Sequence, residues 1–300
     1  MRYKMKYSGV GGQAVMEGIM MRNADKYAVA VRKPDKEIDV QVFDYKGFVK
    51  NDKLKKIPFV RGVFNFVDSL YLGMTSLLHS AEFMEDEEEE IDLEKEKAMM
   101  GWTVVLAVVM AVGIFFVLPY LISLFFQSFI QSHFVITLLE GLVRLAIFIG
   151  YVSLVALMPE IKRTYMYHGA EHKCINCIEH GLELNVENVR NSSKEHKRCG
   201  TSFLFLVILI SIIFFMFIQV ESGILKLVVR LLLIPVIAGV SYELIRLAGR
   251  YDNWLIKVIS APGLLMQRIT TLEPDDDMIE VGITSVEAVF DWKEWQKENL

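Results

Sequence analysis

A mainly α-helical membrane protein, with a four-helix transmembrane bundle carrying a cytoplasmic α+β domain, is the fold class this sequence predicts. Three observations predict it. Hydrophobic residues make up 53% of the 300 positions, and the mean hydropathy is positive, which is too apolar for an ordinary soluble domain. Four long apolar stretches account for the excess. Polar blocks separate them, and the central block holds every cysteine in the chain. The expected organisation is an N-terminal block (1–83), an acidic linker (84–100), a first transmembrane hairpin (101–158), a cytoplasmic His/Cys loop (159–200), a second hairpin (201–248) and an amphipathic tail (249–300).

Taken in order, the first residues are polar and glycine-rich, with no basic start followed by an apolar core, so no cleavable signal is expected. Gly9, Gly11 and Gly12 suggest a tight backbone path, but no Gly-Lys-Ser/Thr follows, so this is not a phosphate loop. Residues 27–31 and 38–43 alternate like strands, and Lys33-Pro34-Asp35-Lys36 between them reads as a hairpin turn. From residue 57 to 83 apolar residues recur at helical spacing, interrupted by Arg61, Asn65, Asp68 and His79. Carrying those groups through hydrocarbon is expensive, so an amphipathic helix at the interface is expected rather than a span. The acidic run Glu85 to Glu90, with Leu93 to Lys97 after it, reads as a solvated linker or exposed helix.

The four expected spans are 102–126, 134–158, 201–220 and 224–247. The first has about 25 uncharged residues, enough for a hydrocarbon core of about 30 Å. The second carries Glu140 and Arg144 one turn apart, where they neutralise each other. In the fourth, Lys226 and Arg230 must snorkel or line a cavity. Lys and Arg are concentrated in the N-terminal block and the central loop and absent from the link 127–133, which predicts a multi-pass protein with both termini in the cytoplasm. Net charge is −5, so no nucleic-acid partner is expected. The lipid bilayer is one partner, and a substrate or protein at the cytoplasmic face is the other. After the last span, residues 251–267 are amphipathic, Pro262-Gly263 reads as a break, and the tail from Met278 to Trp295 reads as one short helix.

The chemistry centres on His168, Glu171 and His172. In H-x-x-E-H on a helix, the two imidazoles share one face and can reach one divalent metal, zinc foremost, with Glu171 as general base. A catalytic zinc needs a third protein ligand and an open position; His196 or Cys199 is the candidate, with Glu17 and Glu273 as distant alternatives. All four of His168, His172, His196 and Cys199 on one ion would make a closed, structural site. Cys174 and Cys177 with His196 and Cys199 permit a zinc-ribbon-like clamp. A histidine cluster merely hydrogen-bonded to its neighbours is the plain alternative. Three cysteines fit thiols or metal ligands in a reducing compartment better than a disulfide framework.

Four segments in this order, Gly11 to Arg22 (GGQAVMEGIMMR), Tyr167 to Lys173 (YHGAEHK), Arg198 to Phe203 (RCGTSF) and Glu273 to Asp277 (EPDDD), resemble the YqhQ-like family of bacterial membrane proteins. That family is one of unknown function whose members are described only as predicted metal-dependent enzymes; the resemblance carries over His168, Glu171, His172, His196 and Cys199, with Cys174 less firmly. The expected function is a metal-dependent hydrolase at the cytoplasmic face, acting on a peptide by motif analogy. A membrane scaffold with a structural metal or hydrogen-bond cluster, and a small transporter component, are the alternatives.

Overall fold

The alternation near the N-terminus becomes a four-stranded antiparallel meander. The computed structural model describes residues 6–49, 57–84, 93–218, 220, 222–251 and 253–300, and of residues 93–101 and 104 only the backbone. Strands β1 (Gly11–Val15), β2 (Gly18–Asn23), β3 (Lys26–Arg32) and β4 (Ile38–Asp44) pair in sequence order. The β3–β4 hairpin lies where the Lys33–Lys36 turn predicts it. The β1–β2 hairpin was not expected, because its glycines and methionines carry little strand propensity. Its two-residue turn puts Glu17 at a φ of 46°, the left-handed region that favours glycine. Gly12 permits the pairing: a Cβ there would sit 2.2 Å from the Met20 carbonyl oxygen.

The chain divides into two compact units, residues 1–84, 155–206 and 238–300 in one, 85–154 and 207–237 in the other. In the first, the sheet is covered on both faces, as the period-two alternation of its strands requires. Ile19, Met21 and Ala30 point to one face, where they meet helices α5 (Pro159–Glu179) and α10 (Asp276–Val289). Val15, Met20, Val29 and Val31 point to the other, against Leu72 of helix α1 (Val60–Glu82). Short α6 (Val186–Asn191) follows α5, α9 (Trp254–Thr270) precedes α10, and α11 (Trp292–Asn299) ends the chain.

Helix α1 is inside-out. Its protein-facing stripe is Gly62, Asp68, Leu72, Ser76 and Ser80, while Val67, Leu70, Tyr71 and Met74 are exposed. Three of its four interrupting polar residues find hydrogen-bond partners: Arg61 bonds Glu243 (Nε to Oε1, 2.6 Å), Asn65 bonds the Tyr242 hydroxyl, and Asp68 accepts from the Tyr45 hydroxyl and the Phe48 N–H. Such a face suits an apolar surrounding rather than water.

In the second unit, α2 (Leu93–Val112), a π turn (Gly113–Val117) and α3 (Leu118–Phe126) run continuously, followed by α4 (His133–Val155). Helices α7 (Gly200–Met216) and α8 (Gly223–Arg250) contribute residues to both units. Among the described residues, three helices are long and apolar enough to cross a membrane: 105–126, 133–155 and 223–250. The expected span 201–220 is instead the 17-residue α7, about 25 Å long at 1.5 Å per residue. Two further expectations change. Pro262 does not break α9, which continues to Thr270 with Gly263 packed on the Ser202 side chain. The tail is two helices, and α10 is core rather than appendage. The acidic run 85–90 lies outside the described residues.

Candidate metal centre

Most of the expected His/Cys loop is helix, and that places its chemistry. Residues 159–179 form α5, started by Pro159 at its first turn. His168 and His172 therefore sit one turn apart on one face, their ring centroids 4.4 Å apart. Cys174 and Cys177 leave that face. Both are buried in the apolar core; the Cys174 sulfur lies where a side chain on Gly282 of α10 would have to go. The zinc-ribbon-like clamp is thereby ruled out: two of its four sulfur and nitrogen donors are core residues on the far side of the helix.

Five side chains of α5 hold the segment that returns Cys199 to this face. His172 Nδ1 donates to the Lys194 carbonyl (2.6 Å). Lys173 Nζ, a buried ammonium, donates to the carbonyls of Arg190 (2.8 Å) and Ser192 (3.0 Å), closing the end of α6. Asn176 donates to the carbonyls of Ser193 and Glu195. Cys177 Sγ reaches the Glu183 carbonyl. Glu179, fully buried, accepts from the Ser8 N–H and hydroxyl and from Arg198. On the other side Gln267 of α9 accepts from the His196 N–H and donates to its carbonyl and to Ser202. Cys199 is then delivered immediately before α7, where a helix N-terminus favours the thiolate.

His168, His172 and Cys199 offer one ligand atom each, all within 4.8 Å of one another. His168 Nε2 lies 3.2 Å from Cys199 Sγ. Its Nδ1 donates to the Thr270 carbonyl (2.8 Å). Both imidazoles thus carry the proton on Nδ1, bound to main chain, and turn Nε2 to the sulfur; this is the outer support usual for metal-ligating histidine. Tetrahedral zinc with N and S ligands needs donors about 3.5 Å apart, so the triangle fits with small closure. Gly169 makes the approach of residue 270 possible: a Cβ there would lie 1.9 Å from the Leu272 carbonyl oxygen, and the Leu272 N–H bonds the Tyr165 carbonyl.

Glu171 is buried beside this triangle. The Gly12 main chain on edge strand β1 lies close enough to its carboxylate to favour the charged form slightly. Its Oε2 is buried with no hydrogen-bond partner among the described residues. Burial is the main reason its pKa is raised, with the neighbouring imidazoles opposing. Burial also acts to raise the Cys199 pKa, but His168 and His172 outweigh it and hold the thiol well below its ordinary value. The Thr201 N–H (3.4 Å) and hydroxyl (3.1 Å) further support the sulfur. Burial alone lowers His168, and the thiolate partner more than reverses it.

The other expected site residues are engaged elsewhere. His196 is close, its ring centroid 5.5 Å from that of His172, but its Nε2 accepts from Arg198 (3.1 Å), and burial drives its pKa well down. It lies outside the donor triangle, so the closed four-ligand arrangement is not what the side chains form. Glu17 makes a two-pronged pair with Arg163, 2.5 Å for each bond, and meets the Tyr167 hydroxyl. Glu273 pairs with Lys173 (2.9 Å) and Lys194 (3.4 Å). Sequence reasoning missed Thr270, Gln267, Lys194 and Glu179, since a main-chain carbonyl acceptor or a buried polar side chain leaves no spacing signal. Gly12 and Thr201 do lie inside the quoted motifs.

Comparison with known proteins adds a family but no activity. Residues 57–292 match the family model described as "Protein of unknown function (DUF1385)". The chain is 32% identical over 300 residues to "Uncharacterized protein YqhQ" of Bacillus subtilis (strain 168), covering 96% of this chain and 94% of that protein. No solved structure matches.

Proposed function

The chain belongs to the DUF1385 family, and from that premise we propose that it is a metal-dependent hydrolase of the inner membrane, with its site at the cytoplasmic face. The four apolar segments expected from the sequence anchor it in the bilayer, both termini inside. His168, His172 and Cys199 hold the metal, zinc foremost, as an open three-ligand set. A metal there supplies Lewis acidity that brings the pKa of a coordinated water towards about 7. Glu171 takes the proton from the attacking water and passes it to the leaving group, its raised pKa suited to both directions. Thr270 and Lys194 carbonyls keep the imidazoles in register. The substrate is a peptide by analogy of the motif; lipid and phosphoester bonds suit the same chemistry.

The observation that carries this reading is the buried, unpartnered Glu171 Oε2 next to three convergent donors. A buried carboxylate oxygen left unpaired costs stability unless a ligand or water meets it. The scaffold reading keeps one support of its own: Cys199 Sγ lies 3.2 Å from His168 Nε2 and accepts from the Thr201 N–H, contacts that by themselves tie α5 to the start of α7.

Metal content of the purified full chain decides between them. About one divalent ion per chain is expected, and Cys199→Ser or His172→Ala should remove it. Glu171→Gln should keep the ion and abolish turnover of any bond the native protein cleaves in a panel of peptide, lipid and phosphoester substrates. Native protein without bound metal, or with metal that survives both ligand substitutions, would overturn the proposal.

A further inference from the structure

A cavity of about 340 Å³ in the second unit, lined by none of the metal-centre residues, has an unusual charge balance. Its walls come from the π turn and α3 on one side and the first turns of α8 on the other. They are apolar or aromatic except for Lys226 and Arg230. Both cations are buried. Arg230 forms a two-pronged pair with Glu140. The same carboxylate accepts from Arg144 (3.0 Å), whose Nε donates to the Phe115 carbonyl inside the π turn (2.8 Å). Among the described residues the Lys226 ammonium makes no hydrogen bond or ion pair: it faces the Tyr120 ring, 5.4 Å away, and the carboxylate acting on it at a distance is Glu140, already held by both arginines. Three cations thus share one carboxylate among the described residues of this cluster. In a helix bundle long and apolar enough for a bilayer, two surplus positive charges are costly unless an anion joins them.

The rim says where the anion comes from. Leu121 is 53% and Ile224 80% exposed, apolar surface that a free aqueous ion would gain nothing by meeting. Gly223 keeps the mouth open, since a Cβ there would lie 2.7 Å from the Tyr120 hydroxyl oxygen. We propose that this cavity binds a membrane phospholipid of net negative charge. Its phosphodiester sits between Lys226 and Arg230, and its acyl chains leave over Leu121 and Ile224. Two separate cations suit the two non-bridging oxygens of a phosphodiester, and the surplus charge selects an anionic over a zwitterionic lipid.

The test uses the full chain, delipidated in neutral detergent, with lipid retention read by native mass spectrometry. The probes are phosphatidylglycerol, phosphatidylcholine, oleate and inorganic phosphate. Phosphatidylglycerol should be retained best, and Lys226→Gln should weaken it at least about tenfold, the loss expected for one charged hydrogen bond. Lys226→Arg should keep it. Gly223→Leu, which narrows the mouth and touches no charge, should lose it too. Undiminished retention in Lys226→Gln or Gly223→Leu would overturn the proposal. So would oleate, phosphatidylcholine or inorganic phosphate binding as tightly as phosphatidylglycerol.

Discussion

Two buried polar clusters of this protein are wired in contrasting ways. Around His168 and His172, side chains bond to main chain: imidazole, ammonium and amide groups of α5 and α9 hold carbonyls and N–H groups of distant segments. Around Glu140, side chains bond chiefly to side chains, two guanidinium groups on one carboxylate, with a single main-chain bond from Arg144 to the Phe115 carbonyl. Main-chain wiring fixes the position of groups and leaves their charge free for chemistry. Ion-pair wiring fixes charge and leaves position to the packing. The first arrangement suits a site that must present donors in a set geometry, the second a site that must hold charge in an apolar surrounding.

Substitutions can break that contrast. The largest effect is expected from Glu140→Gln, which strands Arg144 and Arg230 without a counter-charge. A loss of about 3–5 kcal/mol in unfolding free energy is expected, read by denaturant titration in detergent; a loss under about 1 kcal/mol would mean that packing, not charge, holds the cluster. Next comes Gly169→Ala. Its Cβ meets the Leu272 carbonyl oxygen at 1.9 Å, and overpacking of this kind costs about 1–3 kcal/mol. Pushing residue 270 away from His168 should also weaken metal uptake, so calorimetric metal titration should show the loss even in the folded fraction. Uptake equal to the native protein's would show that the Thr270 carbonyl is not needed for ligand geometry.

The smallest effect should come from Glu273→Gln. Burial acts to raise the Glu273 pKa, but Lys173 and Lys194 outweigh it and the net shift is downward. A depressed carboxylate stabilises the fold above its unfolded pKa, about 4.3, and that contribution disappears as pH falls through the lower folded value. Because the carboxylate is mostly exposed, at most about 1 kcal/mol is expected, visible as a difference between native and substituted protein at pH 7 that vanishes in acid. A difference that grows as pH falls would contradict the sign of the shift. Lys173 should stay in place, since the carbonyls of Arg190 and Ser192 still hold it.

The spacing of His168, Glu171 and His172 was legible because a helix converts four residues into one face. Cys199 was legible as a cysteine near histidines, but its choice over His196 was not: that depended on Arg198 occupying His196 Nε2. Cys174 and Cys177 misled, since a C-x-x-C run looks alike whether it binds metal or fills a core. The β3–β4 hairpin declared itself through its turn and alternation. The β1–β2 hairpin did not, because close backbone approach at Gly12 is a demand of the partner strand rather than of local propensity. Helix α10 gave no sign that it would cover the sheet, as its Gly282 and Ser285 contacts join residues more than one hundred positions apart.

The reversed polarity of α1 bears on how this protein can be handled. Cutting away the long apolar helices would not yield a water-soluble remnant for assay, since the oily row from Val67 to Met74 belongs to the sheet-bearing half itself and its polar side is already spent on internal partners. Any preparation of the sheet-bearing half alone would need a detergent belt or lipid patch around that row.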